Sequence, residues 1–294
     1  MPGSPRVSLC VPAYQAEAHI EQTLRSVLAQ TYADVEIIVL DNACTDRTPE
    51  ILASFDDPRL RVVRNETVLP LADNWNHVVG LATGDLVKVV CADDLMHPDI
   101  VAQQVRILDA YPQVAVVSCR RHLVGEDTEV LASRRGLSGL VGLHSGRSTV
   151  QRVVRHGGNP IGEPVCVTFR REHFAAVGGF DASLVFPMDI DLWVKLLRHG
   201  DFYGMPQALA AFRAGTTSIS SALSSAQYAD QRKLTDRIGS DPFWSVGRTS
   251  RLLGRAGTIG ARARHRALFL ASAWSNRQGP DRGDRIKRDL DWLS

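Results

Sequence analysis

The sequence predicts an α/β fold, in which a mostly parallel central sheet is flanked by helices and followed by a helical C-terminal extension. Two observations predict it. Short apolar runs alternate with segments whose apolar residues recur at helical spacing. The connections between these runs are long enough for crossover helices, which favour parallel strands with right-handed connections. With 294 residues, 44% of them hydrophobic, the chain can bury one large core, or one core and a smaller subdomain.

The first 120 residues alternate strand and helix. The predicted strands are the apolar runs at 7–12, 35–40, 60–65, 85–90 and 114–119. The predicted helices are at 17–30, 45–55, 71–82 and 97–112. The first helix follows from the helical spacing of Ile20, Leu24 and Leu28, and Pro112 stops the last one. Asp46 is interpreted as a helix cap rather than a ligand.

The pattern weakens after residue 120. Between 121 and 158 the chain is rich in Gly, Ser and Arg, which predicts a loop region with one short helix at 148–156. The elements predicted next are a strand at 164–171, a short helix at 172–179, an amphipathic helix at 189–200 closed by Gly200, and a last strand at 208–213. The chain after Ser224 is predicted to be mainly helical.

Composition narrows the class of protein. The sequence has no apolar run of the roughly 18 residues that a membrane-spanning helix needs, and its start has no signal-sequence pattern. Five cysteines without metal-ligand spacing indicate small buried side chains in a reducing cytoplasm. The net charge is +2, but the last 50 residues carry 11 Arg and Lys against 4 Asp. The remaining, mildly acidic body argues against nucleic-acid binding.

Polar residues follow several of the predicted strands. In sheets of this kind, ligands bind beyond the carboxyl ends of the strands. Asp41 and Asn42 follow the second strand, and Asp93 and Asp94 follow the fourth. Two adjacent carboxylates at the end of a buried strand need compensation, which a divalent cation would supply. The alternative is a turn, or a cap on the helix near Pro98.

Four motifs, in order, resemble family 2 of the glycosyltransferases, which has the nucleotide-sugar-binding A-type fold. They are VSLCVPAYQAEAHIEQTLRSVLAQTY, VEIIVLDNACTDRT, NHVVGLATGDLVKVVCADD and GGFDASLVFPMDIDLWVKLLRHG. The second resembles the family's E-I-I-V-V-D-D-G-S-T-D-x-T, and the third ends like its D-A-D-D. The likeness runs from about residue 6 to about residue 220.

The resemblance implies an inverting glycosyltransferase. It would move a sugar from a nucleoside diphosphate sugar, with a UDP-sugar favoured, to a hydroxyl of a glycan, a lipid-linked sugar or a small natural product. Mg²⁺ or Mn²⁺ would be the cofactor. Residues 1–120 would form the nucleotide-sugar half, 121–220 the acceptor half of the same domain, and 221–294 a helical extension.

The resemblance also assigns site residues. Asp93 is the expected metal ligand. The donor site is expected to comprise Pro12, Ala13, Tyr14, Glu17, Asp41, Asn76, Ala92, Asp93 and Asp94. Each assignment has a structural alternative. Tyr14 either stacks on the nucleoside base or packs against the rim of the sheet.

Asp189 is expected to be the general base, kept ionised by the N-terminus of its helix. Asp191 is the second candidate, as a base or an acceptor contact. Glu163 is expected either to touch an acceptor hydroxyl or the donor sugar, or to form a salt bridge with Arg170 or Arg171. The alternative for Asp189 is an ordinary acid at a helix N-terminus.

The chain departs from the family pattern at several positions. They are Gln15, Asn42, Ala43, Cys44, Cys91, Met188, Ala214 and Gly215. Cys91 replaces the first Asp of the family's D-x-D, so the cation would be held by one or two carboxylates and the nucleotide phosphates. These departures leave open a catalytically impaired member that acts as a binding or scaffold protein.

Two other enzyme classes fit less well. A nucleotidyltransferase would need a Gly-rich basic loop after the first strand, and an NAD-dependent enzyme would need G-x-G-x-x-G. In the C-terminal extension, Arg262, Arg264 and Arg266 lie beside apolar residues. We expect one of three roles for this segment: peripheral contact with the inner face of the membrane, a solvated helix with one packed face, or a homodimer contact.

Overall fold

The computed structural model describes residues 4–184, 187–214, 225–254, 256 and 292. The strands are β1 (Val7–Ala13), β2 (Val35–Asp41), β3 (Leu60–Arg64), β4 (Leu86–Val89), β5 (Leu95–Met96), β6 (Val114–Val124), β7 (Val130–Arg135), β8 (Gly142–His144), β9 (Val167–Arg170) and β10 (Asp201–Arg213). The helices are α1 (Ile20–Leu28), α2 (Thr48–Ala53), α3 (Leu71–Gly80), α4 (Ile100–Ala110), α5 (Gly146–His156), α6 (Arg171–Val177), α7 (Met188–Leu196) and α8 (Ser225–Ser240).

The strands of the described residues form a single sheet in the order β3-β2-β1-β4-β9-β6-β10-β5, with β7 on β6 and β8 on β10. The pairs β3–β2, β2–β1, β1–β4 and β6–β10 are parallel. The strand β9 runs antiparallel to both of its neighbours, β4 and β6. The predicted α/β class and the mostly parallel sheet are therefore confirmed, with antiparallel pairs in the second half.

The strands β1 and β4 are buried on both faces of the sheet, whereas the edge strand β3 is partly exposed. Every residue of β1 and of β4 is buried, because helices cover the sheet on its two sides. α1 presents Ile20, Leu24 and Val27 to this core, as their spacing predicts. Burial on both faces explains why these strands read as continuous apolar runs.

The prediction of a loop region at 121–158 is wrong in part. β6 continues to Val124, a short turn follows, and β7 returns alongside it. β8 then pairs with β10, and α5 covers and extends the predicted short helix. The sequence pattern did not predict β7 and β8, because both strands are half-exposed and carry few apolar residues. The predicted strand at 164–171 starts only at Val167, after a 3₁₀ turn at Pro164–Cys166.

The buried side chains include polar ones. Lys88 of β4 is fully buried, and its Nζ donates to the carbonyl oxygens of Val165 (2.7 Å) and Val167 (3.0 Å). Burial lowers the pKa of Lys88 to about 8. All five cysteines are free, and Cys91 alone among them is partly exposed.

Two findings bear on the predictions about membranes. Among the residues that the structure describes, no helix combines the length and the apolar character that crossing a membrane requires. The basic segment around Arg262, Arg264 and Arg266 lies outside the described residues.

Candidate active site

The turn after β4 carries the two adjacent carboxylates. The Asp94 N–H donates to the carbonyl oxygen of Cys91 (3.1 Å), which closes the turn. The hydroxyl of Thr23 in α1 donates to the carbonyl oxygen of Ala92 (3.0 Å) and anchors the turn to that helix. β5 follows directly and pairs with β10. The turn is thus fixed between the parallel half of the sheet and its far edge.

Three side chains of this turn converge. The Cys91 Sγ and one carboxylate oxygen each of Asp93 and Asp94 lie within 4.8 Å of one another. Asp94 is fully buried; one of its oxygens accepts from the Arg213 N–H (3.0 Å), and the other has no hydrogen-bond partner. Burial raises the pKa of Asp94 well above its usual range, and the neighbouring Asp93 adds to this. Burial also raises the pKa of Asp93.

These residues fit a divalent cation. A buried carboxylate oxygen without a partner is costly, and hard cations take carboxylate oxygens as ligands. A cation here would supply the missing partner of Asp94 and would lower the pKa of both carboxylates. The turn interpretation of Asp94 also holds, because its backbone closes the turn while its side chain points inward.

Arg213, at the end of β10, holds this turn in place. The residue is 1% exposed, and its Nε donates to the carbonyl oxygen of Asp93 (3.0 Å). Its other nitrogens donate to the carbonyl oxygens of Gly125 and Glu126 in the β6–β7 turn and to the side chain of Gln22 in α1. The guanidinium therefore ties three segments together through neutral acceptors and leaves the two carboxylates free for a ligand. The sequence signal was an arginine at the end of an apolar strand, which by itself assigns no partner.

The expected base, Asp189, lies in the first turn of α7. Its Oδ2 accepts from the side-chain amide of Asn159 (2.7 Å), and its Oδ1 accepts from the Ile190 N–H (2.7 Å). Burial raises the pKa of Asp189 to about 7, and the charge of Glu163 adds to this increase. The helix N-terminus does favour the ionised form of Asp189, through the Ile190 N–H, but burial outweighs this effect.

Asp189 and the β4 turn face one another. The charge of Asp189 contributes to the raised pKa of the Cys91 thiol, whose largest cause is burial. The charge of Glu163 likewise contributes to the raised pKa values of Asp94 and Asp189. Three separate parts of the sequence therefore bring four acidic side chains close together, and Asp93, Asp94, Glu163 and Asp189 are called the acidic cluster below.

The salt bridge predicted for Glu163 has a different partner. Glu163 pairs with Arg121, whose Nη2 donates to Oε1 at 2.6 Å, and not with Arg170 or Arg171. The last two donate to backbone carbonyl oxygens instead. The pairing arises because β6 runs on past the predicted strand end and carries Arg121 to Glu163. Glu163 lies close enough to Asp94 and Asp189 to raise the pKa of both, and its contact with an acceptor stays a prediction.

Asp191 is not available as a base or as an acceptor contact. Its side chain is 4% exposed and forms ion pairs with Lys195 (2.6 Å), one helical turn on, and with Arg237 of α8. Side chains two positions apart on a helix differ in direction by about 200°, so Asp191 points away from the acidic cluster that contains Asp189. Its role is to join α7 to α8.

The donor-side residues lie at the ends of β1 and β2. Tyr14 is 54% exposed, so it does not pack against the rim of the sheet. Asp41 is buried; its Oδ1 accepts from the Cys44 N–H (2.9 Å), and its Oδ2 pairs with Arg64. Pro12 and Ala13 are buried beside it, at the end of β1. The exposed face of Tyr14 remains open to a nucleoside base.

The loops after β1 and β2 hold each other. Gln15 and Ala43 have positive φ angles of 47° and 53°, a conformation that favours glycine or asparagine. The Gln15 Oε1 accepts from the Thr45 N–H (2.9 Å), and the Glu17 carboxylate accepts from the Arg47 N–H (2.9 Å). Two of the departures from the family pattern thus stand at left-handed positions, and the cross-links stabilise them there.

Asn76 has a structural partner. Its Nδ2 donates to the carbonyl oxygen of Phe180 (2.9 Å), and its Oδ1 accepts from the Phe180 N–H (2.8 Å). Both ends of the amide are therefore used to join α3 to the chain before α7. The two hydrogen bonds fix the orientation of the amide and leave one N–H and one lone pair of Asn76 unused by Phe180.

Comparison with known proteins yields a family and a fold. The model of the family described as Glycosyl transferase family 2 matches residues 8–178. An uncharacterized protein of Mycobacterium tuberculosis, MT1568, is 32% identical over 219 residues, which cover 72% of this chain and 68% of that protein.

Two solved structures are similar. S. aureus TarS 1–349 in complex with UDP-GlcNAc has a TM-score of 0.63 at 18% identity, covering 80% of this chain and 67% of that one. Mannosyltransferase PcManGT from Pyrobaculum calidifontis, in complex with GDP-Man and Mn²⁺, has a TM-score of 0.57 at 20% identity, covering 99% of this chain and 86% of that one. At such identities the likeness establishes the fold.

Proposed function

Because the chain belongs to family 2 of the glycosyltransferases, we propose that it transfers a sugar from a nucleoside diphosphate sugar to an acceptor hydroxyl with inversion of configuration. A UDP-sugar is the favoured donor. One observation carries this proposal: Asp189, with its pKa raised to about 7, lies close to the turn in which Asp94 keeps a buried carboxylate oxygen without a partner. A candidate base and a candidate cation site thus lie near one another.

Asp189 acts as the general base. Its carboxylate takes the proton of the acceptor hydroxyl while the acceptor oxygen forms a bond to the anomeric carbon. The bond from that carbon to the diphosphate oxygen breaks, and its electron pair leaves with the diphosphate. Asn159 orients Asp189 through a 2.7 Å hydrogen bond and stabilises its ionised form. Attack from the face opposite the diphosphate inverts the configuration.

Asp93 and Asp94 would hold Mg²⁺ or Mn²⁺. A cation there neutralises the negative charge that the diphosphate gains as it leaves. Mn²⁺ is present beside GDP-Man in the PcManGT structure, which supports a cation in this fold. Arg213 positions the turn that carries both acids.

The donor nucleotide would lie over the ends of β1 and β2. Tyr14 offers an exposed ring for stacking on the base, and Asp41 offers carboxylate lone pairs beyond those used by Cys44 and Arg64. Residues 1–120 would then form the donor half and 121–220 the acceptor half, to which Glu163 belongs. The UDP-GlcNAc bound by TarS supports a uridine nucleotide.

Calorimetric titration of UDP into the full chain, with and without Mn²⁺, tests the donor site. We expect Mn²⁺-dependent binding that Asp93→Ala abolishes and that Asp56→Ala, which removes an exposed acid of the α2–β3 loop, leaves unchanged. If UDP, GDP and dTDP all fail to bind with Mn²⁺ present, the donor proposal is refuted.

Asp189→Asn tests the base. The variant should bind UDP and Mn²⁺ like the parent chain, but its release of UDP from a donor and acceptor pair found by screening should fall at least about 100-fold. Equal turnover by parent and variant would remove Asp189 from the reaction. If the parent chain binds UDP but turns over none of the screened UDP-sugars, the alternative of a binding or scaffold protein is favoured.

A further inference from the structure

Cys91 lies where the family pattern has an acid. It is the first residue of the turn after β4, two positions before Asp93 and three before Asp94. Its Sγ lies within 4.8 Å of a carboxylate oxygen of each. The chain has therefore placed a sulfur atom where the resemblance implies an oxygen.

The surroundings of Cys91 differ from those of the other thiols. Cys10, Cys119 and Cys166 are fully buried in the core, where a thiol acts as a small apolar side chain. Cys91 is partly exposed and lies beside the two carboxylates. It is thus the thiol that a solvent-borne ion can reach.

A second observation points to a ligand at this site. The Oδ2 of Asp94 is fully buried without a hydrogen-bond partner, although Asp94 itself is held by the Arg213 N–H. With metal–sulfur and metal–oxygen bonds of about 2.3 and 2.1 Å, a sulfur and an oxygen on one ion lie at most about 4.4 Å apart, and about 3.6 Å apart in tetrahedral geometry. Small side-chain rotations would bring the three atoms, now within 4.8 Å, onto a single ion.

We propose that Cys91 is itself a ligand of the cation, together with Asp93 and Asp94, and that the site consequently prefers ions that accept sulfur over Mg²⁺. This inference rests on the cation site of the proposed function. Mg²⁺ demands oxygen ligands, whereas Co²⁺ and Zn²⁺ bind mixed sulfur and oxygen sets, and affinity for such sets rises from Mn²⁺ to Zn²⁺. A C-x-D-D turn therefore selects a softer ion than two or three carboxylates do.

Titration of the metal-free full chain with Co²⁺ tests this assignment. A cobalt–thiolate bond gives a sulfur-to-cobalt charge-transfer band in the near ultraviolet, which oxygen ligands do not give. We expect this band to saturate at one equivalent in the parent chain and to be absent in Cys91→Ser, which keeps a small polar side chain. Cys10→Ala, which removes a core thiol, is the control and should keep the band.

Affinity provides the second readout. Cys91→Ser should weaken Zn²⁺ and Co²⁺ binding at least about tenfold, and should change Mg²⁺ binding less than about threefold. Cobalt binding without the band in the parent chain, or a band that persists in Cys91→Ser, would overturn the proposal.

The same variants separate this inference from the proposed function. If Mn²⁺ binds to the parent chain and to Cys91→Ser with equal affinity but not to Asp93→Ala, and Co²⁺ gives no band, the cation site stands and the sulfur ligand is refuted. If no ion binds with UDP present, both are refuted.

Discussion

The hydrogen bond from Asn159 to Asp189 allows the proposed base to be tested quantitatively. The donor lies 2.7 Å from the Oδ2 of Asp189, whose pKa burial raises to about 7. A hydrogen bond to a charged group contributes about 1.5–3 kcal/mol, and one pKa unit corresponds to about 1.4 kcal/mol. Asn159→Ala should therefore raise the pKa of Asp189 by about one to two units, to about 8–9.

The expected loss of activity follows from the ionised fraction of the base. At pH 7, about half of Asp189 is ionised in the parent chain, against about 1–10% in the variant. The kcat/KM of Asn159→Ala should be about 5- to 50-fold lower at pH 7 and should approach that of the parent chain above about pH 9. The pH dependence of kcat/KM measures the shift, because it reports the pKa of the free enzyme. Carbon-13 NMR of the labelled Asp189 carboxyl gives the same pKa without a substrate.

A matched control isolates the contact with Asp189 from the loop that carries Asn159. Asn159 also bonds both backbone groups of Gly162, and the Trp193 Nε1 donates to the same Gly162 carbonyl oxygen (3.1 Å). Trp193→Phe weakens this loop without removing a hydrogen bond from Asp189, so its midpoint should stay near pH 7. A midpoint that stays in place in Asn159→Ala, or that moves equally in both variants, would refute the argument.

Three further predictions concern stability and binding. Asn76→Ala leaves two backbone groups of Phe180 unpaired, so the free energy of unfolding, measured in urea, should fall by about 2–4 kcal/mol. The Kd for UDP should change less than about twofold; a tenfold weaker Kd would instead place Asn76 at the donor. Arg213→Met leaves the carbonyl oxygens of Asp93, Gly125 and Glu126 without their donor, so the free energy of unfolding, measured in urea, should fall by about 3–5 kcal/mol. The folded-state pKa of Lys88, about 8, lies below the ordinary 10.5, so the unfolded chain binds more protons between these values. The free energy of unfolding should therefore rise by roughly 3 kcal/mol from pH 8 to 10.5 relative to Lys88→Met, measured by urea titration of both proteins; parallel pH profiles would contradict this.

The fold of the first 120 residues was predictable because its signals are local. Strands buried on both faces read as apolar runs, and α1 shows its buried face in the spacing of Ile20, Leu24 and Val27. The acids at the ends of β2 and β4 could be found by position alone, since ligands bind where parallel strands end.

The residues that the sequence did not assign act over long separations. Asn159 precedes Asp189 by 30 residues, and Arg213 follows Asp94 by 119. Neither separation leaves a periodic signal, because the contacts depend on where β9 and β10 enter the sheet. The partner of Glu163 was missed for the same reason, since Arg121 reaches it only through the continuation of β6. The pKa of Asp189 could not be predicted because it depends on burial.

The direction of β9 has a consequence for how specificity can diverge. Because β9 runs antiparallel to β4 and β6, it begins at the edge of the sheet where those two strands end. In the strand order, β9 and the loops after β1 and β2 lie on different sides of β4. The segment before β9 carries Asn159 and Glu163, whose side chains form hydrogen bonds with Asp189, Gly162 and Arg121. Under the proposed function, the residues of this segment other than Asn159, which bonds Asp189, are those whose substitution is expected to change the choice of acceptor without touching the loops after β1 and β2.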